Sequence, residues 1–224
     1  MLHYKASEIV QRAMTLANIQ NSSFVSATEN RQLINDAFWA LYQIMIDEGD
    51  VFYLQQIKHP AFNDGVYVLP DNFYQLYAIR DNYGNGVLRK NKNTIKNGKC
   101  YDIRKRDIPT EVEDPDTHET VTVLVPKTCL INYNNALIDE IEYYPKPQTL
   151  DIEGTGDILL DVPSNAYYQC MLYYMAIWYK TRQGEDSTDI KALYDDAVAT
   201  FTDTLKIDVN EYPQMRDVYT RIWR

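Results

Sequence analysis

The residues able to ligate a metal or attack an electrophile are few in this chain, and their spacing joins none of them into a site. His3, His59 and His118 and the cysteines Cys100, Cys129 and Cys170 show none of the paired spacings from which zinc sites are built. Nucleophilic catalysis needs a serine or cysteine beside a positioned base. No Gly-x-Ser-x-Gly elbow occurs, and the histidines lie in three unrelated contexts. Gly84-Asn85-Gly86 is followed by Arg89 where a dinucleotide loop needs a third glycine, and Gly154-Thr155-Gly156 has the same defect. Carboxylate pairs occur at Asp114/Asp116, Glu140/Glu142 and Asp195/Asp196. The first falls in an acidic loop, the second on alternate positions of a predicted strand, and the third on the polar face of a predicted helix. The expectation is a protein with no catalytic residues, no metal and no cofactor, and so not an enzyme.

Two other patterns speak of contacts. Arg89, Lys90, Lys92, Lys96, Lys99, Arg104, Lys105 and Arg106 form a basic block whose only acid is Asp102, and six acids without a Lys or Arg follow between Asp107 and Glu119. Three uses are open for this block. It is a solvated loop, or a contact between subunits in which one copy's basic side meets its neighbour's acidic side, or a DNA contact with Tyr101 stacking on a base. The second pattern is the C-terminal stretch 207–224. Pro213 interrupts it, yet Tyr212, Met215, Val218, Tyr219, Ile222 and Trp223 are costly to leave in water, and disordered tails are poor in such residues. It reads as an arm that docks on a partner, the alternative being that it packs on its own domain.

The elements that must position these residues follow from periodicity. Ile9, Ala13, Leu16 and Ala17 mark a first helix, and Ser26-Ala27-Thr28-Glu29 is a capping box opening a second with Leu33, Ile34, Ala37, Phe38, Leu41, Ile44 and Met45 on one stripe. Short β-type runs fill 51–162: 53–62 and 66–69 flanking an Asn63-Asp64-Gly65 turn, then 73–79, 100–103, 120–125, 129–133 and 137–144, suggesting a small antiparallel sheet or barrel. Helical period returns after Pro163. One helix, 164–182, is apolar nearly all round through Tyr167, Cys170, Met171, Tyr174, Ile177 and Trp178, and a second, 187–206, carries Ile190, Leu193, Tyr194, Ala197, Val198, Phe201 and Leu205. The predicted fold class is α+β. Two helical hairpins (1–50 and 163–206) form a bundle, an antiparallel β region (51–162) is inserted, and a docking arm (207–224) follows.

Composition sets the outer bounds. With 224 residues, 45% apolar and 24% charged, the chain suits a folded domain with a real core. Its longest apolar stretch, Tyr167 to Tyr179, is too short to span a bilayer. The net charge of −10 argues against gripping nucleic acid over the whole surface. Nineteen tyrosines suit protein–protein surfaces. Three scattered cysteines read as reduced thiols in a cytosolic setting, and the first residues lack a signal-peptide layout.

Three segments, in order, resemble the head-to-tail adaptor proteins (tail tubular or connector-ring proteins) of short-tailed bacteriophages. The first is the Asn35-Asp36-Ala37 helix leading to LPDNFYQLYAI at 69–79. The second is YDIRKRDIP at 101–109, followed by IEYYPKPQTL at 141–150. The third is ILLDVPSNAYYQCMLYYMAIWYKTRQGED at 158–186 with ALYDDAVATFTD at 192–203. The resemblance spans about residues 5–206, and order and spacing carry most of its specificity. It implies a structural virion protein, assembled in host cytoplasm into a homo-oligomeric ring of about twelve copies. The ring would join the portal to further tail proteins, its C-terminal arm reaching the portal. DNA would pass through its channel without specific binding, and no membrane is involved. The resemblance gives the long charged segment 89–119 no partner.

Overall fold

The N-terminal residues Leu2–Lys5 form a strand (β1) before the first helix begins, because a second short strand, Leu159–Val162 (β9), pairs with them antiparallel in the register Leu2↔Val162 to Lys5↔Leu159. The computed structural model describes residues 2–19, 25–89, 100–113, 118, 120–133, 136–147, 149–154 and 156–209. These divide into two compact units, one from residues up to 52 and from 147 onward, the other from Tyr53–Lys146.

The first unit holds the helices α1 (Ala6–Leu16), α2 (Ala27–Glu48), α3 (Asn165–Gln183) and α4 (Thr188–Val209) with the β1–β9 pair. Each helix end has a local cause. The Asp157 carboxylate accepts from Ser7 N–H and Oγ–H at 3.1 and 2.7 Å, placing an anion at the N-terminus of α1, where the helix dipole favours it. The capping box opens α2: Glu29 N–H donates to Ser26 Oγ, and the Glu29 carboxylate accepts from Ser26 N–H at 2.9 Å. Gly49, at φ 77°, ends it in the left-handed conformation that glycine adopts without strain. Ser164 caps α3 by accepting from Tyr167 N–H, so Pro163 stands before the cap and outside the first turn.

The apolar stripe of α2 (Leu33, Ile34, Ala37, Phe38, Leu41, Met45) meets α3 over a core that includes Ile9, Leu160, Tyr167, Met171, Met175 and Phe201. Tyr167 sits edge-on to both Phe38 and Phe201, and its hydroxyl donates to the Phe38 carbonyl at 3.2 Å, which satisfies its one polar atom. The segment after the β unit is held to α2 by two polar side chains. Asn35 pairs both backbone groups of Leu150, accepting from its N–H at 2.7 Å and donating to its carbonyl at 3.0 Å. Arg31 donates to the carbonyls of Asp151 and Gly156 at 2.8 and 2.7 Å.

The second unit has strands β2 (Gln55–Lys58), β3 (Val66–Val68), β4 (Phe73–Asp81), β5 (Leu88–Arg89), β6 (Cys100–Glu113), β7 (Thr120–Tyr133) and β8 (Ile138–Pro145). They make two sheets, ordered β2-β8-β4 and β3-β7-β6-β5, and all pairs except the short β5–β6 contact are antiparallel. Leu69, Ile79, Tyr101, Leu130 and Ile141 form its buried centre, with Phe62, Phe73 and Ile103 packed around them.

Several expectations are corrected. The chain is not a helical bundle carrying a small inserted sheet. Among the described residues it is a mixed protein of four helices and three small sheets, one of them inside the helical unit. Four-residue strands such as β1 and β9 are too short to show a period, which is why they escaped the pattern. The predicted strands 100–103, 120–125 and 129–133 are parts of two 14-residue strands. The Asp64-Gly65 turn forms, with φ of 48° and 73°, but joins only a single bridge between Asn63 and Val66, since β2 and β3 enter different sheets. Leu16 and Leu193, placed on buried stripes, are exposed, and Tyr174, Ile177 and Trp178 are half-buried. The tyrosine excess serves the interior as well: Tyr42, Tyr101, Tyr143, Tyr144, Tyr167, Tyr168 and Tyr179 are buried.

Candidate interaction surface

The longest continuous feature of the second unit is the β6–β7 ribbon, paired without a break from Cys100↔Tyr133 to Glu113↔Thr120. Its root is embedded: β3 pairs with 129–131 and β5 with 100–101. Beyond the Arg106↔Lys127 rung no other strand pairs with either edge among the described residues. Antiparallel strands rise about 3.4 Å per residue, so the free stretch from Arg106 to Glu113 extends about 24 Å.

Register fixes which side chains share a face. On one face the distal rungs are Ile108/Val125, Thr110/Val123 and Val112/Val121; on the other they are Asp107/Pro126, Pro109/Leu124, Glu111/Thr122 and Glu113/Thr120. The first face is thus a β-branched stripe with one hydroxyl, and Thr110 Oγ1 spends that hydroxyl on the Ile108 carbonyl at 3.2 Å. Val112 and Val121 are each 44% exposed and Val123 41%. Sequence reading missed this stripe. The alternation Val121, Val123, Val125 was visible, but its partners Ile108, Thr110 and Val112 lay within a segment whose acids drew attention.

The basic block divides. Lys90, Lys92, Lys96 and Lys99 lie outside the described residues, as do the arm residues Tyr212, Met215, Val218, Tyr219, Ile222 and Trp223 and the pair Asp114/Asp116. Arg104, Lys105 and Arg106 are consecutive exposed residues on β6, at the foot of the free part of the ribbon, so Arg104 and Arg106 share the apolar face and Lys105 points to the other. Arg104 Nε donates to Asp102 Oδ2 at 2.7 Å, which favours its charged form, and Arg89 Nε lies 3.7 Å from the other oxygen of the same carboxylate. Lys127 pairs with Asp71 at 2.7 Å and holds that carboxyl below its ordinary range. Asp102 therefore ties two of the block's cations to the protein itself.

The other chemistry-bearing residues have structural surroundings. His3, His59 and His118 each place Nδ1 within 2.6–2.8 Å of a carboxylate (Asp161, Asp139 and Glu113), all at exposed positions. No group of three or more His, Cys, Asp or Glu able to hold a metal occurs among the described residues. All three cysteines are free and buried. Burial pushes the Cys170 thiol up to about 12 and that of Cys129 in the same direction, so both stay protonated and unreactive. Glu142, buried in the β2-β8-β4 sheet, accepts from Gln56 and Arg80 at 3.0 Å each, and Arg80 also reaches Glu140 at 3.7 Å. One guanidinium thus hydrogen-bonds Glu142 and forms a looser ion pair with Glu140. Asp195 and Asp196 are exposed on α4. No helix among the described residues is long and apolar enough to cross a membrane.

No protein-family model matches the chain, and no curated protein matches it.

Proposed function

We propose that the protein is a structural component of a virion: a ring of about twelve copies that joins the portal to the tail around the DNA channel, with residues 207–224 docking on the portal. What carries the reading is the ordered set of segments resembling phage head-to-tail adaptors. The Asn35–Leu150 pairing gives that order physical content, since it binds the Asn35-Asp36-Ala37 segment to the end of the IEYYPKPQTL segment, 115 residues apart. In this reading the helical unit builds the ring wall and the aromatic arm anchors it, as buried aromatic residues do at interfaces. A net charge of −10 suits a channel through which DNA slides without sticking. The protein would assemble in host cytoplasm, meet further tail proteins on its far side, and need no cofactor.

Particle mass by mass photometry, with negative-stain images of the same sample, tests the ring. Annular particles of about a dozen copies support it. A monomer that also fails to bind portal particles overturns it. A chain ending at Val209 should fold and melt like the full chain yet lose portal binding. The second reading is an assembly protein outside any connector, which the exposed ribbon would serve equally well. Binding of short duplex DNA at low salt, lost when Lys90, Lys92, Arg104 and Arg106 become Glu, would instead favour a nucleic-acid role.

A further inference from the structure

We infer that the β6–β7 ribbons of successive copies stack front to back, the basic, β-branched face of one lying on the acidic face of the next. The contact gives the proposed ring a joint between subunits. It is argued from the ribbon alone, so either idea can fail without the other.

The two faces of the ribbon carry opposite charge. Register puts Arg104, Arg106 and Lys127 on the first, with the β-branched rungs beyond them and no acid past Asp102 among the described residues. The second face carries Asp107, Glu111 and Glu113 against the single cation Lys105. Some of this charge is satisfied within the chain. Asp102 holds Arg104, Asp71 holds Lys127, and His118 lies 2.8 Å from Glu113. Arg106 on the first face, and Asp107 and Glu111 on the second, have no ion pair among the described residues. Arg106 also opposes Lys127 across one rung, a like-charge pair that an anion from another copy would relieve.

Apolar surface is exposed on both faces. The first shows Val112, Val121 and Val123, while Ile108 and Val125 nearer the root are half-buried. The second shows Leu124, 68% exposed, on the rung of Pro109. A symmetric dimer that joined the two valine faces would leave Leu124 in water; front-to-back stacking covers both. The edges are poor alternatives. The Asn132 N–H donates to Gly65 and the Thr128 carbonyl accepts from Leu69, so even-numbered residues of β7 turn their backbone groups away from β6. Pro126 is one of them, and Pro109 holds the equivalent outward position on β6. Each proline removes an outward donor, a recognised defence against edge pairing.

Charge also selects the offset. With the ribbons parallel and the second advanced by one residue, its Asp107 lies over the Arg106/Lys127 rung. Its Pro109/Leu124 rung then covers Ile108/Val125, with Val123 alongside. Thr122 and Thr120 meet Val123 and Val121, and Glu111 and Glu113 stand on the outer β6 edge, where water reaches them. Lys105 comes level with Arg104, whose charge Asp102 already holds. The opposite offset would set Lys105 on Arg106. Sheets pack about 10 Å apart, which leaves room for one interleaved layer of side chains. Because the contact joins two different surfaces, every bound copy still offers a free face; the assembly grows until it closes into a ring or runs on as a filament. So few rungs cover far less than a permanent dimer needs, and each joint is reversible.

Sedimentation of the full chain, with particle images of the same samples, tests the contact beside two variants: Val123→Glu on the first face and Leu124→Glu on the second. Each should weaken association about tenfold or more, because a carboxylate would be buried against apolar side chains. Mixed, the two variants should form a pair that grows no further, since Leu124→Glu keeps its first face and Val123→Glu its second. Arg106→Glu should also weaken association, and Asp107→Arg in the same chain should restore it. Chains with Val123→Cys and Leu124→Cys should link to each other through a short bismaleimide far more than either links to itself; the native thiols are buried. A chain that stays monomeric up to its solubility limit overturns the proposal. So does association that neither glutamate alters, and so does self-linking of Val123→Cys as strong as the mixed linking, which would mean a two-fold contact. Rings that survive both glutamates keep the connector reading and remove this contact. Open filaments or short oligomers that both glutamates abolish keep the contact and remove the ring.

Discussion

α3 and the β6–β7 ribbon are both rich in apolar residues, yet the protein uses them in opposite ways. α3 packs against α1, α2, α4 and β9, and Tyr167, Met171, Met175 and Tyr179 along it are fully buried. Beyond its root the ribbon pairs only with itself among the described residues, and it leaves Val112, Val121 and Val123 exposed. One region turns apolar surface into stability; the other leaves it exposed. Apolar content alone does not tell which, because the difference lies in what the remaining chain brings alongside.

That contrast can be broken by substitution. Phe38→Ala, which empties the space against Tyr167, should lower the unfolding free energy by about 3–5 kcal/mol in chemical denaturation. Asn35→Ala strands the buried N–H and carbonyl of Leu150 and should cost about 1–3 kcal/mol. If its effect is negligible, water has replaced the amide and the segment is held by Arg31. Trp178→Ala should cost about 1–2 kcal/mol, because the ring is half-buried between Tyr179 and Arg182, whose guanidinium lies 5.1 Å from its centre. Val112→Lys on the ribbon should change stability by less than about 0.5 kcal/mol. A large loss there would mean that the stripe is core, and the comparison would collapse.

The smallest effect is a sharpening by pH. Hydrogen bonds from Ser7 hold the Asp157 carboxyl below its ordinary value of 3.8. A carboxylate lowered in the folded state contributes stability that is present above the unfolded value and lost as pH falls through the folded one. The melting temperature of Asp157→Asn should therefore lie slightly below that of the parent chain at neutral pH, and the gap should close below pH 3.8.

What the sequence disclosed follows the same division. The Ser26–Glu29 capping box and the α2 stripe were readable because each contact lies within a few positions along the chain. The β1–β9 pair was not, since its partners are about 160 positions apart and each strand is four residues long. The ribbon was legible only in pieces (100–103, 120–125 and 129–133), because the charged run after Ile103 and the Pro126 interruption broke the β pattern; Pro109 and Pro126 sit where the missing N–H faces outward. At the candidate surface the basic residues were visible as a block. Their division by Asp102, and the valine face beside them, required the register.

The clamp of Asn35 and Arg31 on residues 150–156 also governs the order of events during synthesis. Residues 53–146 are continuous in the chain and have all their strands once the ribosome has passed them, whereas α2 must wait for partners encoded more than a hundred residues later. Contacts of such long separation form slowly, because the loop between them must first be closed. α2 therefore precedes α3 by more than a hundred residues, and its stripe from Leu33 to Met45 lacks the α3 cover until residues 165–183 have been made.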